Sequence, residues 1–224
     1  MPQRSTESVD NYLKAILTLG ERQPGRVASN ALAAHLGVAP ASVTNMLQKL
    51  AAAAAPFVEY ERHRGVLLSP SGRRRALEIV RHHRLIETFL YEVLDYPIEE
   101  LHEEAERLEH FISERFEERI AAKLGHPTTD PHGHAIPSLE GEMPPRSSMC
   151  LTDVSEGTFI VDSISDRDAP TLRSLQANGL TPGTKVRVTR SPSDSYSVRI
   201  GRSTTALDLS PEVAREVRIL PLTK

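Results

Sequence analysis

Cysteine is almost absent: Cys150 is the only one in 224 residues. A single thiol excludes an intramolecular disulfide framework and any Cys-x-x-Cys metal site. Long apolar runs are also missing, and no stretch approaches the roughly 20 residues that a membrane helix needs. The opening Met-Pro-Gln-Arg-Ser lacks the apolar core of a secretory leader, and no internal repeat is evident. There is no His-Glu-x-x-His motif and no recognisable Ser/His/Asp grouping, so an enzyme is not expected. A metallohydrolase in particular needs an open coordination position and a positioned base. With 39% hydrophobic and 25% charged residues, the chain reads as a soluble globular protein, expected in the cytoplasm. It is long enough for one large domain or two to three small ones.

The formal net charge of −3 hides unlike segments. Residues 1–75 carry ten Lys/Arg and five Asp/Glu, a balance of +5. Residues 76–141 carry six and fifteen, a balance of −9, and residues 142–224 carry eleven and ten, a balance of +1. A basic head suits phosphate. A dense acidic block is most often a solvated helical face, but this one also holds histidines, which suits a metal.

The basic head patterns as helices. Val9, Tyr12, Leu13, Ile16 and Leu17 share one helical face, and the stretch from Gly20 to Gly25 breaks it. Ser29 is placed to cap a short helix with Ala31, Leu32 and Leu36 on its apolar side. Gly37 makes a turn, and Pro40 opens a second helix that buries Val43, Leu47 and Leu50. Short helix, glycine turn and second helix form a helix-turn-helix pattern. The alanines Ala51–Ala55 are expected to extend that helix as far as Pro56. Val58–Glu61 and Val66–Ser69 then read as the two strands of a wing with a basic tip at Arg62-His63-Arg64-Gly65.

A recognition helix points its N-terminal residues at base edges. Here Ala39, Pro40, Ala41, Ser42, Thr44 and Asn45 occupy that end. Asn45 suits adenine, Ser42 and Thr44 suit phosphate or bases, and alanine suits a thymine methyl. No arginine is present there for bidentate reading of guanine. Phosphate contacts are expected from Lys49 and from the wing residues Arg62 and Arg64.

Ser71 is placed to cap the next helix, which runs through Ala76, Ile79, Val80, Leu85, Ile86 and Leu90. Residues 97–124 read as one long helix with Leu101, Ala105, Leu108, Ile112 and Phe116 as its stripe, stopped by Gly125. Residues 125–149, rich in Gly, Pro and His, read as a loop. From Phe159 the pattern changes to short strands (159–164, 185–189, 196–200, 205–209 and 217–220) separated by turn signals such as Thr181-Pro182-Gly183. These suggest a small β-barrel.

His83 and Glu87 are four residues apart and share a helix face. His102, Glu106, Glu109 and His110 lie at i, i+4, i+7 and i+8, also on one face. A lone histidine on a helix is usually an ordinary polar contact; six donors in register on two helices are not. Imidazole and carboxylate without thiolate suit manganese, iron(II) and other divalent transition metals, and lean toward the harder ions such as manganese.

At these residues the chain resembles the diphtheria toxin repressor family, including its manganese-responsive branch. The resembling segments are Asp10-Asn11-Tyr12-Leu13, the winged helix through Arg64-Gly65, and Arg81-His82-His83-Arg84-Leu85-Ile86-Glu87. Leu101–Ser113, Asp130–Pro137 and the tail segment GLTPGTKVRV also match. The resemblance implies a mainly α protein with a small all-β domain. Its parts would be an N-terminal winged helix-turn-helix (1–75), a helical metal-binding and dimerisation domain with its loop (76–149), and a C-terminal SH3-like, FeoA-like barrel (150–224). It also implies two metal sites. One would use Glu106, Glu109 and His110 with Asn11 from the first helix, a position where relatives often carry an acid or methionine; Asp10 is the alternative. The other would use His83, Glu87 and His102 with Asp130, His132 and the barrel acid Asp168, with Asp166 as its rival. Glu106 stands where iron-responsive members carry cysteine, which favours Mn2+ over Fe2+. Lys14 replaces an acid of the shorter binuclear regulators.

The expected function is a metal-dependent repressor, a homodimer that binds a palindromic double-stranded DNA operator when loaded and controls metal-uptake genes. No membrane partner is expected. The alternatives are a winged-helix regulator with an organic effector, or one whose metal is purely structural.

Overall fold

A computed structural model describes residues 3–22, 25–144, 149–191, 194–201 and 205–222. The chain divides into two compact units. The first comprises Met1–His82 with Glu109–Ile112 and Pro137–Met143, and the second comprises the remaining segments through Lys224.

The first unit opens with α1 (Gln3–Arg22), which runs two residues beyond the expected break at Gly20. Its apolar face is the expected one: Tyr12, Leu13, Ile16 and Leu17 are buried, with Val9 packed beside them. Helices α2 (Ser29–Leu36) and α3 (Pro40–Ala51) follow. Gly37, at φ 64°, closes α2 in the left-handed conformation, as its position predicts. Two expectations fail here. Ala28, not Ser29, is the residue before α2, and no side chain caps it; Ser29 already lies inside the helix. Helix α3 stops at Ala51, with the Ala52 amide on the Gln48 carbonyl. Helix propensity alone does not carry the alanines further, because they add no large apolar side chain to bury.

Strands β1 (Val58–Glu61) and β2 (Gly65–Leu68) form an antiparallel wing, the second strand one residue earlier than the expected Val66–Ser69. Val66 also exchanges two main-chain hydrogen bonds of 2.9 Å with Val27. That close approach requires Gly65, where a Cβ would lie 2.5 Å from the Val27 carbonyl oxygen. Helix α4 (Pro70–Leu94) starts at Pro70. Its cap is Ser69, whose Oγ accepts from the Gly72 amide at 3.1 Å. The expected cap, Ser71, instead donates its hydroxyl to the Pro56 carbonyl. The boundary between the two units falls within α4, between His82 and His83.

The second unit contains the rest of α4, α5 (Leu101–Leu108), α6 (Glu114–Lys123) and a sheet domain. The single long helix expected over 97–124 is therefore two. Ser113 is extended, and its side chain accepts from the Phe116 amide, starting α6 afresh. The supposed stripe is split accordingly: Leu101 and Ala105 are buried, whereas Leu108 and Phe116 are exposed. Leu85, Ile120, Ala121 and Ile136 form the core beneath, with Phe89 and Leu124 against it.

The sheet domain has six antiparallel strands: β3 (Met149–Cys150), β4 (Glu156–Ile164), β5 (Lys185–Arg190), β6 (Tyr196–Ile200), β7 (Ala206–Leu209) and β8 (Val217–Pro221). They order as β3-β8-β4-β5-β6-β7, with an irregularity in β4 between Val161 and Ser163. Two helices escaped the sequence pattern, α7 (Ala169–Ala177) and α8 (Pro211–Arg215). Both were signalled: Pro stands in the first turn of each, and Leu172 and Leu175 are spaced to bury one face of α7. No helix among the described residues is long and apolar enough to cross a membrane.

Candidate metal centre and nucleic-acid interface

In the second unit, α4 presents His83 and Glu87 one turn apart, with His83 Nε2 3.1 Å from Glu87 Oε1. Helix α5 brings His102, whose Nδ1 lies 3.2 Å from His83 Nε2 and 3.8 Å from Glu87 Oε1. The segment after β4 supplies Asp166, with Oδ2 3.4 Å from His102 Nδ1. His132 adds Nε2 at 3.6 Å from Glu87 Oε1. Donor atoms of His83, Glu87, His102 and Asp166 all lie within 4.8 Å of one another. Bonds of about 2.1 Å to one divalent ion set neighbouring donors about 3.0 Å apart in an octahedron and about 3.4 Å apart in a tetrahedron. The spacing therefore fits donors that surround a single ion.

Unsatisfied atoms point the same way. Glu87 Oε2, Asp130 Oδ2 and both ring nitrogens of His132 are buried without a hydrogen-bond partner. Buried polar atoms are normally paired, because leaving one unpaired costs about 1–3 kcal/mol. A divalent cation answers that need, and the imidazole and carboxylate donors suit a transition ion.

The electrostatics are those of a tightly coupled acid–imidazole cluster. Burial alone would raise the Glu87 carboxyl, but the His83 charge, the nearby His132 ring and the His83 hydrogen bond outweigh it and hold Glu87 below the usual carboxylate range, against repulsion from Asp166. Asp166 is likewise pushed up by burial and, more strongly, down by His102, His134 and His132. Burial would lower His132, and Glu87, Asp130 and Asp166 overcome it and raise it.

The loop before Pro137 is shaped by its own acid. Asp130 Oδ1 accepts the main-chain amides of His132 and His134 at 2.9 and 2.8 Å. Asp130 Oδ2 faces His134 Nδ1 at 3.3 Å and Arg84 Nε at 3.7 Å. The loop is laid on β4, where the Ile164 amide donates to the His132 carbonyl at 3.0 Å. Gly133 permits this: its φ is +87°, and a Cβ would lie 2.1 Å from the Asp162 carbonyl oxygen.

Of the expected residues, His83, Glu87, His102 and His132 come together here, with Asp130 organising the loop. Asp168 does not join them. It is exposed at the start of α7, where its carboxylate accepts from Thr171 Oγ1, and Asp166 stands in the place assigned to it. His134 was missed, although it lies in the same His-Gly-His run and sits 4.0 Å from Asp166 Oδ2. Glu106 lies with this unit, its Oε1 3.8 Å from His102 Nε2.

In the first unit the helix break places Glu109 and His110 outside any helix, so they are not the continuation of a helical face. His82 Nδ1 donates to the Glu109 carbonyl at 3.2 Å. His110 Nε2 lies 3.4 Å from Glu109 Oε1, and His110 Nδ1 lies 3.6 Å from Asp10 Oδ2. Neither ring nitrogen of His110 makes a hydrogen bond, and the buried Asn11 Oδ1 makes none. Asp10 is engaged by Arg75 through Nε at 2.8 Å and Nη2 at 2.9 Å. Burial would raise its carboxyl; His110 and Arg75 outweigh that and lower it. Between the two residues considered for this position, Asn11 has the unclaimed oxygen and Asp10 does not.

The winged helix exposes Ala39, Pro40, Ala41, Ser42, Asn45 and Lys49 on α3, with Val43, Leu47 and Leu50 beneath. Thr44 is half-buried and returns its hydroxyl to the Pro40 carbonyl at 3.2 Å. Arg62 and Arg64 are exposed at the wing tip, and Arg64 is paired with Glu61 at 2.8 Å. Arg26 neutralises the same acid from the other side, at 2.5 Å.

Comparison with known proteins agrees with this geometry. Residues 5–66 match the family described as the iron dependent repressor, N-terminal DNA binding domain. Residues 69–138 match its metal binding and dimerisation domain, and residues 149–221 match the FeoA domain. The iron-dependent repressor IdeR of Mycobacterium tuberculosis is 28% identical over 87% of this chain and 89% of its own length. The HTH-type transcriptional regulator MntR of Bacillus pumilus is 33% identical over 52% of this chain and 78% of its own. A solved manganese-dependent transcriptional repressor in complex with manganese superposes with a TM-score of 0.85 at 36% identity, covering 96% of this chain and all of that one. The chain belongs to the diphtheria toxin repressor family of metal-dependent transcriptional repressors, in the branch that includes the manganese-dependent members.

Proposed function

We propose that this protein represses metal-uptake genes when Mn2+ or Fe2+ loads it, by binding a palindromic double-stranded operator as a homodimer in the cytoplasm. The observation that carries this reading is the cluster of His83, Glu87, His102 and Asp166, whose donor spacings fit one ion. It is joined by His132 at 3.6 Å from Glu87, and Glu87 Oε2 and both ring nitrogens of His132 are buried without a hydrogen-bond partner. Manganese is preferred because the donors are imidazole and carboxylate with no thiolate. The proposed division of labour is 1–75 for DNA, 76–149 for metal and dimerisation, and 150–224 for the barrel.

A bound divalent ion supplies positive charge that holds imidazoles and carboxylates together. The chain's own residues do the rest. His83 and Glu87 present adjacent donors from α4, Asp130 orients His132, and Gly133 lets the loop lie against β4. In the first unit Asn11, Glu109 and His110 are the proposed donors, and Glu106 is added on the family resemblance. DNA contact is assigned to Ala39, Pro40, Ser42, Thr44, Asn45 and Lys49 of α3 and to Arg62 and Arg64 of the wing. Exposed apolar side chains on α4 and α6 (Tyr91, Val93, Leu94 and Phe116) support pairing of two copies.

The test is operator affinity titrated with manganese, iron(II) and zinc at fixed salt. Affinity is expected to rise with metal and to fall with chelator. Binding that ignored chelator would remove the sensor reading and leave a structural metal; metal-free protein that answered an organic ligand would replace it.

A further inference from the structure

The first-unit donors are already engaged by a cation of the chain itself. Lys14 of α1 places Nζ 2.7 Å from Glu109 Oε2 and 3.0 Å from Glu109 Oε1. One ammonium thus holds both oxygens of a carboxylate that is completely buried, and the lysine side chain is itself only 17% exposed. Asn11 is one turn earlier on the same helix, with its buried Oδ1 unpartnered. Arg75 likewise neutralises Asp10. Arg75 is shared with Glu78, at 2.8 Å from Nη1, so Lys14 is the cation that answers Glu109 directly. Both oxygens of that carboxylate face the ammonium, and a divalent ion approaching Glu109 has to compete with it.

Resting on the metal-responsive reading above, we propose that Lys14 is an internal competitor for Glu109. Its ammonium holds the carboxylate in the metal-free protein and is displaced when a divalent cation binds there. Lys14 thereby sets the metal concentration at which Asn11, Glu109 and His110 load. The exchange also changes what ties α1 to Glu109: a lysine on one turn is released as an amide oxygen on the preceding turn is engaged. Removing the competitor makes this set bind metal more tightly, not more weakly, although an ion pair has been deleted.

The experiment uses the full chain, metal-free, titrated with Mn2+ alone, with free ion read by electron paramagnetic resonance. Glu87→Gln weakens the second-unit cluster and serves as the parent. In that parent, Lys14→Met is expected to tighten manganese binding by about tenfold or more, because the carboxylate no longer has to be freed from an ion pair. Lys14→Arg, which keeps the competing charge, is expected to show no tightening. Unchanged or weaker binding in folded Lys14→Met would overturn the proposal. If Lys14→Met is unfolded without metal, its melting is followed with Mn2+ added: recovery of the folded state supports the proposal, and no recovery rejects it. If the unsubstituted chain binds no manganese, the metal-responsive reading itself fails; if it binds and Lys14→Met is no tighter, only the role of Lys14 fails.

Discussion

Asp166 and Asp168 stand two residues apart between β4 and α7, yet only Asp166 reaches the histidines. Its Oδ2 is 3.4 Å from His102 Nδ1, while Asp168 bonds Thr171 at an exposed helix start. Asp166→Ala is expected to weaken manganese binding at the cluster by at least about tenfold, since even partners outside the coordination shell are worth that much. Asp168→Ala should stay within about twofold of the parent, as surface substitutions do. Calorimetric titration of both variants checks the pair; equal losses would reject the assignment of Asp166.

Proton competition follows from the same cluster. His132 and His134 bind protons more readily than ordinary histidines, and a metal needs the neutral ring. Metal affinity should fall as pH drops through and somewhat above the ordinary histidine value of about 6.5, with protons released on binding. Titration in two buffers of different ionisation enthalpy measures that release.

The metal-free protein should show the opposite trend near neutrality. A raised histidine pKa stabilises the fold fully below the unfolded value of about 6.5 and loses that contribution as pH rises through the folded one. The lowered pKa values of Glu87 and Asp166 add stability above about pH 4, lost as pH falls through their folded values. The metal-free melting temperature should therefore be higher near pH 5–6 than at pH 8, and manganese should reverse that order. A melting temperature that rose from pH 6 to 8 without metal would contradict it.

At the nucleic-acid face the two kinds of contact separate by salt. Arg62→Ala should weaken binding to all sequences and reduce the slope of log affinity against log salt by about 0.9. Asn45→Ala should leave that slope unchanged and cost about 1–3 kcal/mol at one base pair. Arg64→Ala should have the smaller effect of the two wing changes, because Arg64 already faces Glu61.

Gly133→Ala tests the loop. At φ +87°, with the Asp162 carbonyl in the way, an added methyl must push the loop from β4. It is expected to destabilise the second unit by more than about 1 kcal/mol and to lower metal affinity through His132. Unaltered affinity would show that the loop seat is dispensable.

Most of the winged helix and the strands were legible from periodicity, since their apolar residues face one core. The chemistry was partly legible in types and spacing: pairing His83 with Glu87 needed only helix geometry, whereas His102 was joined to them by the family resemblance. Other features were decided by competition between local signals. The apolar spacing of Leu108, Ile112 and Phe116 continues across Ser113, and the serine cap overrides it. Ser69 and Ser71 are equally good caps by composition, and Pro70 at the first helical position selects Ser69. Asp166 and Asp168 were separable only by the backbone path after β4. Lys14 was visible as a departure from the binuclear regulators, but its pairing with Glu109 spans 95 positions and leaves no local trace.

The seat of the His132 carbonyl on the Ile164 amide has one more consequence. In the proposed chelate one histidine, His132, is delivered by a loop hung on β4, and the Asp166 carboxylate comes from the turn after that strand. On that proposal the sheet domain adds to the ligand denticity. A chain cut before β3 would retain the α4 and α5 donors as a looser, lower-dentate chelator, quicker to release its ion and less able to tell one divalent cation from another.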